Sequence, residues 1–205
     1  LKKIDEICNQ LNLKYYLAYG TLIGAIRHKG FIPWDDDVDI MMPRKDYDSL
    51  VQYFIDHKEE LKPFEIINPQ VNNKCPYTIS RISDSRYQLD VDNEDDYGIG
   101  LFVDVYPLDG VGNTVEEYSK VKKISSKFAS MCFLSTRQSV KRENTKSTLK
   151  YIIKFPAFIV AKILGRNFFM KKLYGMAAKC DYNNSKYIGC VIWASDDGLR
   201  GIFPK

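Results

Sequence analysis

Residues 15–50 read "YYLAYGTLIGAIRHKGFIPWDDDVDIMMPRKDYDSL", and four aspartates, Asp35, Asp36, Asp37 and Asp39, fall within five positions of it. They stand between an apolar "GFIPW" and an apolar "VDIMM". Side chains alternate faces along a strand. Read as a strand, "DVDIMM" therefore puts Asp37 and Asp39 on one face and Val38 and Ile40 on the other. Two half-buried carboxylates at i and i+2 are costly without a counter-charge. A divalent cation supplies one, and Mg²⁺ is typically held by one or two carboxylates plus substrate phosphates. Asp35 and Asp36 either join that constellation or form a solvated loop.

The neighbouring segments extend the pattern. Gly20 allows a backbone turn, and "TLIGAI" reads as a helix start just after it, where free N–H groups favour an anion. Thr21 belongs to the same turn, and Arg27 and Lys29 follow it with charge suited to a diphosphate. Downstream, Asp104 interrupts the apolar run "LFVDVYPL". If that run pairs beside "VDIMM", Asp104 completes a metal site. The bland alternative is a buried acid bonded to backbone or paired with Arg81. Arg81 itself suits a donor phosphate or the orientation of Asp104. His28 reads as structural or solvated, Trp34 as core in preference to a base-stacking ring, and Tyr106 and Pro107 as packing.

The periodicities give an order of elements. Leu1, Ile4, Cys8 and Leu11 have helical spacing, "YYLAY" is a short buried strand, and Tyr47, Leu50, Val51 and Phe54 share one helical face. Short β-like runs follow at "FEII", "YTISRI", "YQLDV" and "LFVDVYPL", with "NEDDYGIG" as an acidic loop. "TVEE" at residues 114–117 is a capping box that predicts a long helix over residues 115–135. Residues 146–179 predict one or two more helices with breaks at Pro156 and Gly165, and "YIGCVIWA" a final strand. The apolar run "YIIKFPAFIVAKILG" is too short to span a bilayer, which takes about 20 residues. It reads as a buried core helix, with an interfacial helix as the functional alternative.

Of 205 residues 45% are hydrophobic, which suits a globular chain and excludes a disordered or membrane-spanning one. The five scattered cysteines form no C-x-x-C pair, and with only two histidines they argue against a zinc site or a disulfide framework. The chain lacks an initial Met and stops at "GIFPK", which reads as a trimmed piece. Its net charge of +4 is unevenly spread. Residues 1–119 hold 12 basic and 22 acidic side chains, whereas residues 120–179 hold 15 basic and one acidic, Glu143. Such a split suggests an anionic partner for the second segment or a solvated helical face.

"YGTLIGAIRHKGFIPWDDDVDIMMPRKDY" and "GIGLFVDVYPLDGV" resemble the two sequence blocks of the LicD family, which includes phosphocholine transferases and fukutin-related proteins. "RGIFPK" resembles a further segment of it. The resemblance covers residues 1–110 well and fades over 120–185. It implies membership of the nucleotidyltransferase superfamily, with Gly20 and Thr21 at its G-[GS] position, Asp37 and Asp39 as the acid pair, and Asp104 as the third acid. It implies an α+β (mixed-sheet) nucleotidyltransferase-like core over residues 1–113, a basic helical region over 114–185, and a segment 186–205 returning to the core. The implied reaction is metal-dependent transfer of phosphocholine from CDP-choline to a hydroxyl of a glycan or lipid-linked glycan, with CMP leaving. Transfer of ribitol or glycerol phosphate from another CDP-linked donor, and a non-catalytic module binding an anionic polymer or membrane, are the alternatives. Asp37, Asp39 and Asp104 would hold Mg²⁺ or Mn²⁺, and Gly20, Thr21, Arg27, Lys29, Asp35 and Arg81 would contact substrate. Asp104 would complete the metal shell or accept the hydroxyl's proton. The expected place is the cytoplasm, peripheral on the inner membrane face, with no nucleic-acid partner.

Overall fold

Each face of a central mixed sheet carries its own apolar cluster, and a computed structural model describes residues 1–140, 148–193 and 201–205 of it. Lys141, Arg142, Glu143 and Lys146 of the basic segment, and Arg200 of "RGIFPK", lie outside the described residues. The elements run α1 (Lys2–Leu11), β1 (Tyr16–Leu17), α2 (Tyr19–Ile23), β2 (Asp39–Pro43), α3 (Arg44–Asp56), β3 (Phe64–Ile67), β4 (Ser80–Asp84), β5 (Leu101–Gly112), α4 (Val115–Thr136), α5 (Thr148–Leu164), α6 (Arg166–Ala177), β6 (Tyr187–Gly189) and β7 (Phe203–Pro204). α2 continues directly into a π-turn over Gly24–His28.

The main path of the sheet is β1-β2-β5-β4-β3. β2 and β5 are parallel, and the other neighbours on that path are antiparallel. The two-residue period of β2 and β5 sorts their side chains. Ile40, Met42, Val103 and Val105 pack with α1 and α3, the latter through Tyr47, Leu50, Val51 and Phe54. Met41, Tyr106 and Leu108 point the other way, into a cluster with Ala129 and Cys132 of α4 and Phe169, Met170 and Leu173 of α6. The C-terminal half of β5 leaves β2 and pairs with β6, which in turn pairs with β7.

α4 begins where its capping box places it. The Thr114 hydroxyl accepts from Glu117 N–H at 3.2 Å, while the Glu117 carboxylate accepts from Asn113 N–H at 2.6 Å, one residue earlier than the usual return bond. Gly112, at φ 103°, lies against that carboxylate. Gly165, at φ 74°, separates α5 from α6.

Several expectations are corrected. "YQLDV" forms no strand, and only Tyr187–Gly189 of "YIGCVIWA" lies in one. Pro156 does not end a helix but sits inside α5. Nor is the run around it buried: Phe155, Ile159, Val160, Ile163 and Leu164 are all exposed, while Ala161 on the other side of α5 is fully buried.

A buried ion pair ties the start of α3 to β5. The Arg44 guanidinium donates to both carboxylate oxygens of Asp109, at 2.7 and 2.9 Å, and Asp109 is fully buried. Removing one partner of such a pair strands the other charge. Arg44→Ala is expected to cost about 3–5 kcal/mol in urea unfolding, and the adjacent exposed Lys45→Ala less than about 0.5 kcal/mol.

Candidate active site

Three charged side chains lie in a row across adjacent strands. Asp39 opens β2 and pairs in register with Asp104 of β5, which pairs on its other side with Arg81 of β4. All three are buried, at 5%, 4% and 7% exposure. They share the sheet face of Met41 and Tyr106, toward the helical half of the molecule.

Arg81 is fixed on every side. Its Nε–H donates to Asp104 Oδ1 at 2.7 Å and its Nη1–H to the Tyr97 hydroxyl at 2.7 Å. Its guanidinium carbon lies 3.6 Å from the Tyr77 ring centre and 4.1 Å from that of Phe102. Of the two roles open to Arg81, the structure shows the contact with Asp104. Burial pushes the Asp104 carboxyl up, against the pull of this guanidinium.

Asp39 has no such partner. Its backbone N–H donates to the Thr21 hydroxyl at 2.8 Å, which pins β2 to α2. Its side-chain Oδ1, however, is buried with no hydrogen bond among the described residues. Burial, then repulsion from Asp37 and Asp104, raise this carboxyl from 3.8 to about 7, with the Tyr106 hydroxyl opposing. An orphaned buried carboxylate oxygen is rare enough to need an explanation.

Asp37 departs from the expected strand face. β2 starts only at Asp39, so Asp37 lies in the preceding loop, half-buried. There Asp35, Asp36 and Asp37 bring one carboxylate oxygen each within 4.8 Å of one another. Burial raises Asp37, and Asp35 and Asp36 raise it further. Oxygens bound to one Mg²⁺ at about 2.1 Å stand about 3–4 Å apart, so small side-chain movements would suffice. This donor set is all carboxylate oxygen, as a hard cation requires; it does not include Asp39, which follows it at the start of β2 and feels the charge of Asp37. The residues present fit Mg²⁺ or Mn²⁺.

Gly20 lies inside the first turn of α2, and the space over it is taken by the Asp35 carboxylate: a Cβ there would stand 2.1 Å from its Oδ2. Tyr19, just before, holds φ at 46°, a left-handed conformation that a non-glycine residue adopts at a cost. Arg27, His28 and Lys29 are exposed on the π-turn. Trp34 is 80% exposed and touches His28 edge-on at 6.0 Å, which corrects its reading as core. In the loop of residues 29–38 only Val38 packs against the core, whereas Phe31 and Trp34 stay exposed.

Sequence reasoning missed the aromatic wall beside the acids. Tyr106 meets Tyr19 and Trp193 edge-on at 5.5 and 5.8 Å, and Trp193 stacks on Tyr77 at 6.1 Å. Tyr106 does more than pack, since its hydroxyl bears on Asp39. Its position two residues after Asp104 was the available signal.

Residues 12–143 match the family model described as LicD/FKTN/FKRP, nucleotidyltransferase domain. The whole chain aligns over 212 positions with the lipopolysaccharide cholinephosphotransferase LicD of Haemophilus influenzae, at 30% identity and across 74% of that protein. An uncharacterized protein of Rickettsia prowazekii is 36% identical over 81 residues, covering 40% of this chain and 28% of its own length. One from Rickettsia typhi is 27% identical over 150 residues, 60% of this chain and 45% of its own.

The raised carboxyl of Asp39 has a measurable sign. Between 3.8 and about 7 the native state binds more protons than the unfolded chain, so Asp39 favours the fold at low pH and loses that contribution as pH rises toward 7. In chelator, Asp39→Asn is expected to raise the thermal midpoint at pH 8 by roughly 2–8 °C, from about 1–2 kcal/mol, and by little at pH 4. Parallel melting curves of both proteins across that range check it.

Proposed function

The chain belongs to the LicD/FKTN/FKRP family, and from that premise we propose that it transfers phosphocholine from CDP-choline to a hydroxyl of a cell-surface glycan or teichoic acid precursor. The β2–β5 pair is, in this reading, its nucleotidyltransferase-like core. The observation that carries the proposal is the buried carboxylate oxygen of Asp39, which has no hydrogen bond among the described residues, is in register with Asp104 and follows the Asp35–Asp37 cluster in the chain. A relative that shares the full length of the chain is named for the same transfer, onto lipopolysaccharide.

The reaction is a displacement at the phosphorus that bears choline. The acceptor oxygen forms a bond to that phosphorus, the bond to the CMP oxygen breaks, and the hydroxyl proton is released. Such transfers depend mostly on positioning and electrostatics. Asp37 and Asp39, with Asp35 alongside, would hold Mg²⁺ or Mn²⁺, which would neutralise charge on the diphosphate. Thr21 keeps Asp39 in place through the bond to its N–H. Arg27 and Lys29, exposed and without a charged partner within salt-bridge distance among the described residues, meet the diphosphate from the π-turn. Arg81 orients Asp104 through Oδ1 and leaves its other oxygen for the metal shell or for the acceptor's proton. The working place is the cytoplasmic side of the membrane, where CDP-linked donors meet glycan precursors.

CMP release from CDP-choline, CDP-ribitol and CDP-glycerol in the presence of acceptor tests the reading. CDP-choline is expected to be the preferred donor, and Asp37→Asn and Asp39→Asn each to lower turnover about 100-fold or more with the fold retained. Near-normal turnover in either variant would remove that residue from the site. A ligand that binds only the native state raises its stability. CDP-choline should therefore shift the melting temperature upward with Mg²⁺ and leave it unchanged in EDTA.

A further inference from the structure

Helix α5 presents an apolar stripe to the outside. Phe155, Ile159 and Ile163 recur every four residues, Val160 and Leu164 lie beside them, and all five are exposed, Ile163 by 78%. Ala161, on the opposite side, is fully buried and marks the inner face. A stripe of this kind on a soluble chain marks an interaction surface. Seventeen residues give the helix a length of about 26 Å, and no helix among the described residues is long and apolar enough to cross a membrane.

The surrounding charge selects the partner. Lys154 and Lys162 sit on the same helix and Lys171 and Lys172 on the next, all exposed. The stretch from residue 120 to 179 carries 15 basic side chains and one acidic. A second copy laid on this face would bring like charge against like charge. Anionic lipid answers both features at once: the acyl boundary takes the Ile and Phe side chains, and the phosphates take the lysines.

We propose that the outer face of α5, flanked by Lys162 and joined by the exposed Lys171 and Lys172 of α6, seats the protein in the plane of an anionic lipid surface. The inner face of the same helix borders the aromatic wall beside the acids. Lys154 lines a cavity of about 420 Å³ with Tyr77, Phe133 and Trp193. Trp193 in turn lies 5.8 Å from the Tyr106 ring, whose hydroxyl bears on Asp39. A protein seated this way holds its carboxylates beside the membrane, within reach of a lipid-borne acceptor. The seat does not depend on the transferase reading, because it is measured without turnover.

The test is co-sedimentation of the full chain with vesicles of phosphatidylcholine alone and of phosphatidylcholine mixed with phosphatidylglycerol, at low and high salt. The expected result is binding to the mixed vesicles that weakens severalfold at high salt as the charges are screened. Ile159→Glu with Ile163→Glu should lower the partition constant about tenfold or more, and Lys162→Gln with Lys171→Gln severalfold. These positions are exposed, so unchanged melting temperatures should accompany both. Ile26→Glu, on the separate exposed patch near Trp34, should leave binding intact. Equal binding to both vesicle types, absence of binding, or binding that survives the α5 changes and is lost with Ile26→Glu would overturn the proposal. So would a concentration-dependent dimer that the isoleucine changes dissolve, since a second copy would then be the occupant.

Discussion

Parallel pairing of β2 with β5 sets Asp39 directly beside Asp104 on one face of the sheet. Strands in a ladder lie about 4.8 Å apart, so the two carboxyl groups cannot avoid each other without breaking the register that also aligns Ile40 with Val105. The fold answers the two charges differently. Arg81, the next residue in the row, takes Asp104 and is itself clamped between Tyr77 and Phe102. Asp39 receives no counter-charge within salt-bridge distance among the described residues. Its raised carboxyl and orphaned oxygen are the cost that remains in the ion-free state. The neighbouring loop adds Asp35, Asp36 and Asp37 to the same place, and Gly20 is the residue type that leaves room for the Asp35 carboxylate. The proposed divalent cation would reconcile these features, and the proposed diphosphate donor would bind with it.

The sheet divides the work between its faces. Toward α1 and α3 the side chains are aliphatic and closely packed, so β2 and β5 are held firmly from behind. Toward α4 and α6 the same strands carry the acids and then Tyr106, followed by a wall that Tyr77, Tyr19 and Trp193 complete. The acids are thus placed between a rigid backing and the basic helical half. That arrangement puts the acids on one face of the sheet and leaves an apolar stripe of α5 exposed.

Much of this was legible in the residues. The apolar runs "VDIMM" and "LFVDVYPL" were legible as the strands that pair, with Asp39 opposite Asp104. The spacing of Tyr47, Leu50, Val51 and Phe54 gave α3 its buried face, and "TVEE" gave the start of α4. What escaped depends on three-dimensional neighbours. Periodicity places Asp37 and Asp39 together on a strand, but backbone pairing begins only at Asp39, because that is where β5 is available. Trp34 and the outer residues of α5 are apolar and were read as core, yet burial requires a covering layer, and none of the described elements supplies one. The bidentate pair of Arg44 with Asp109 joins residues 65 positions apart and leaves no local trace.

The central claim is that these carboxylates exist to hold a divalent cation, and Mn²⁺ titration followed by electron paramagnetic resonance in the presence of CDP-choline measures it directly. The account predicts saturable binding at one or two ions per chain that disappears in both Asp37→Asn and Asp39→Asn and persists in Arg44→Lys, outside the row of acids. Binding that is unaffected by either aspartate change, or that never exceeds the level of free nucleotide alone, would contradict it.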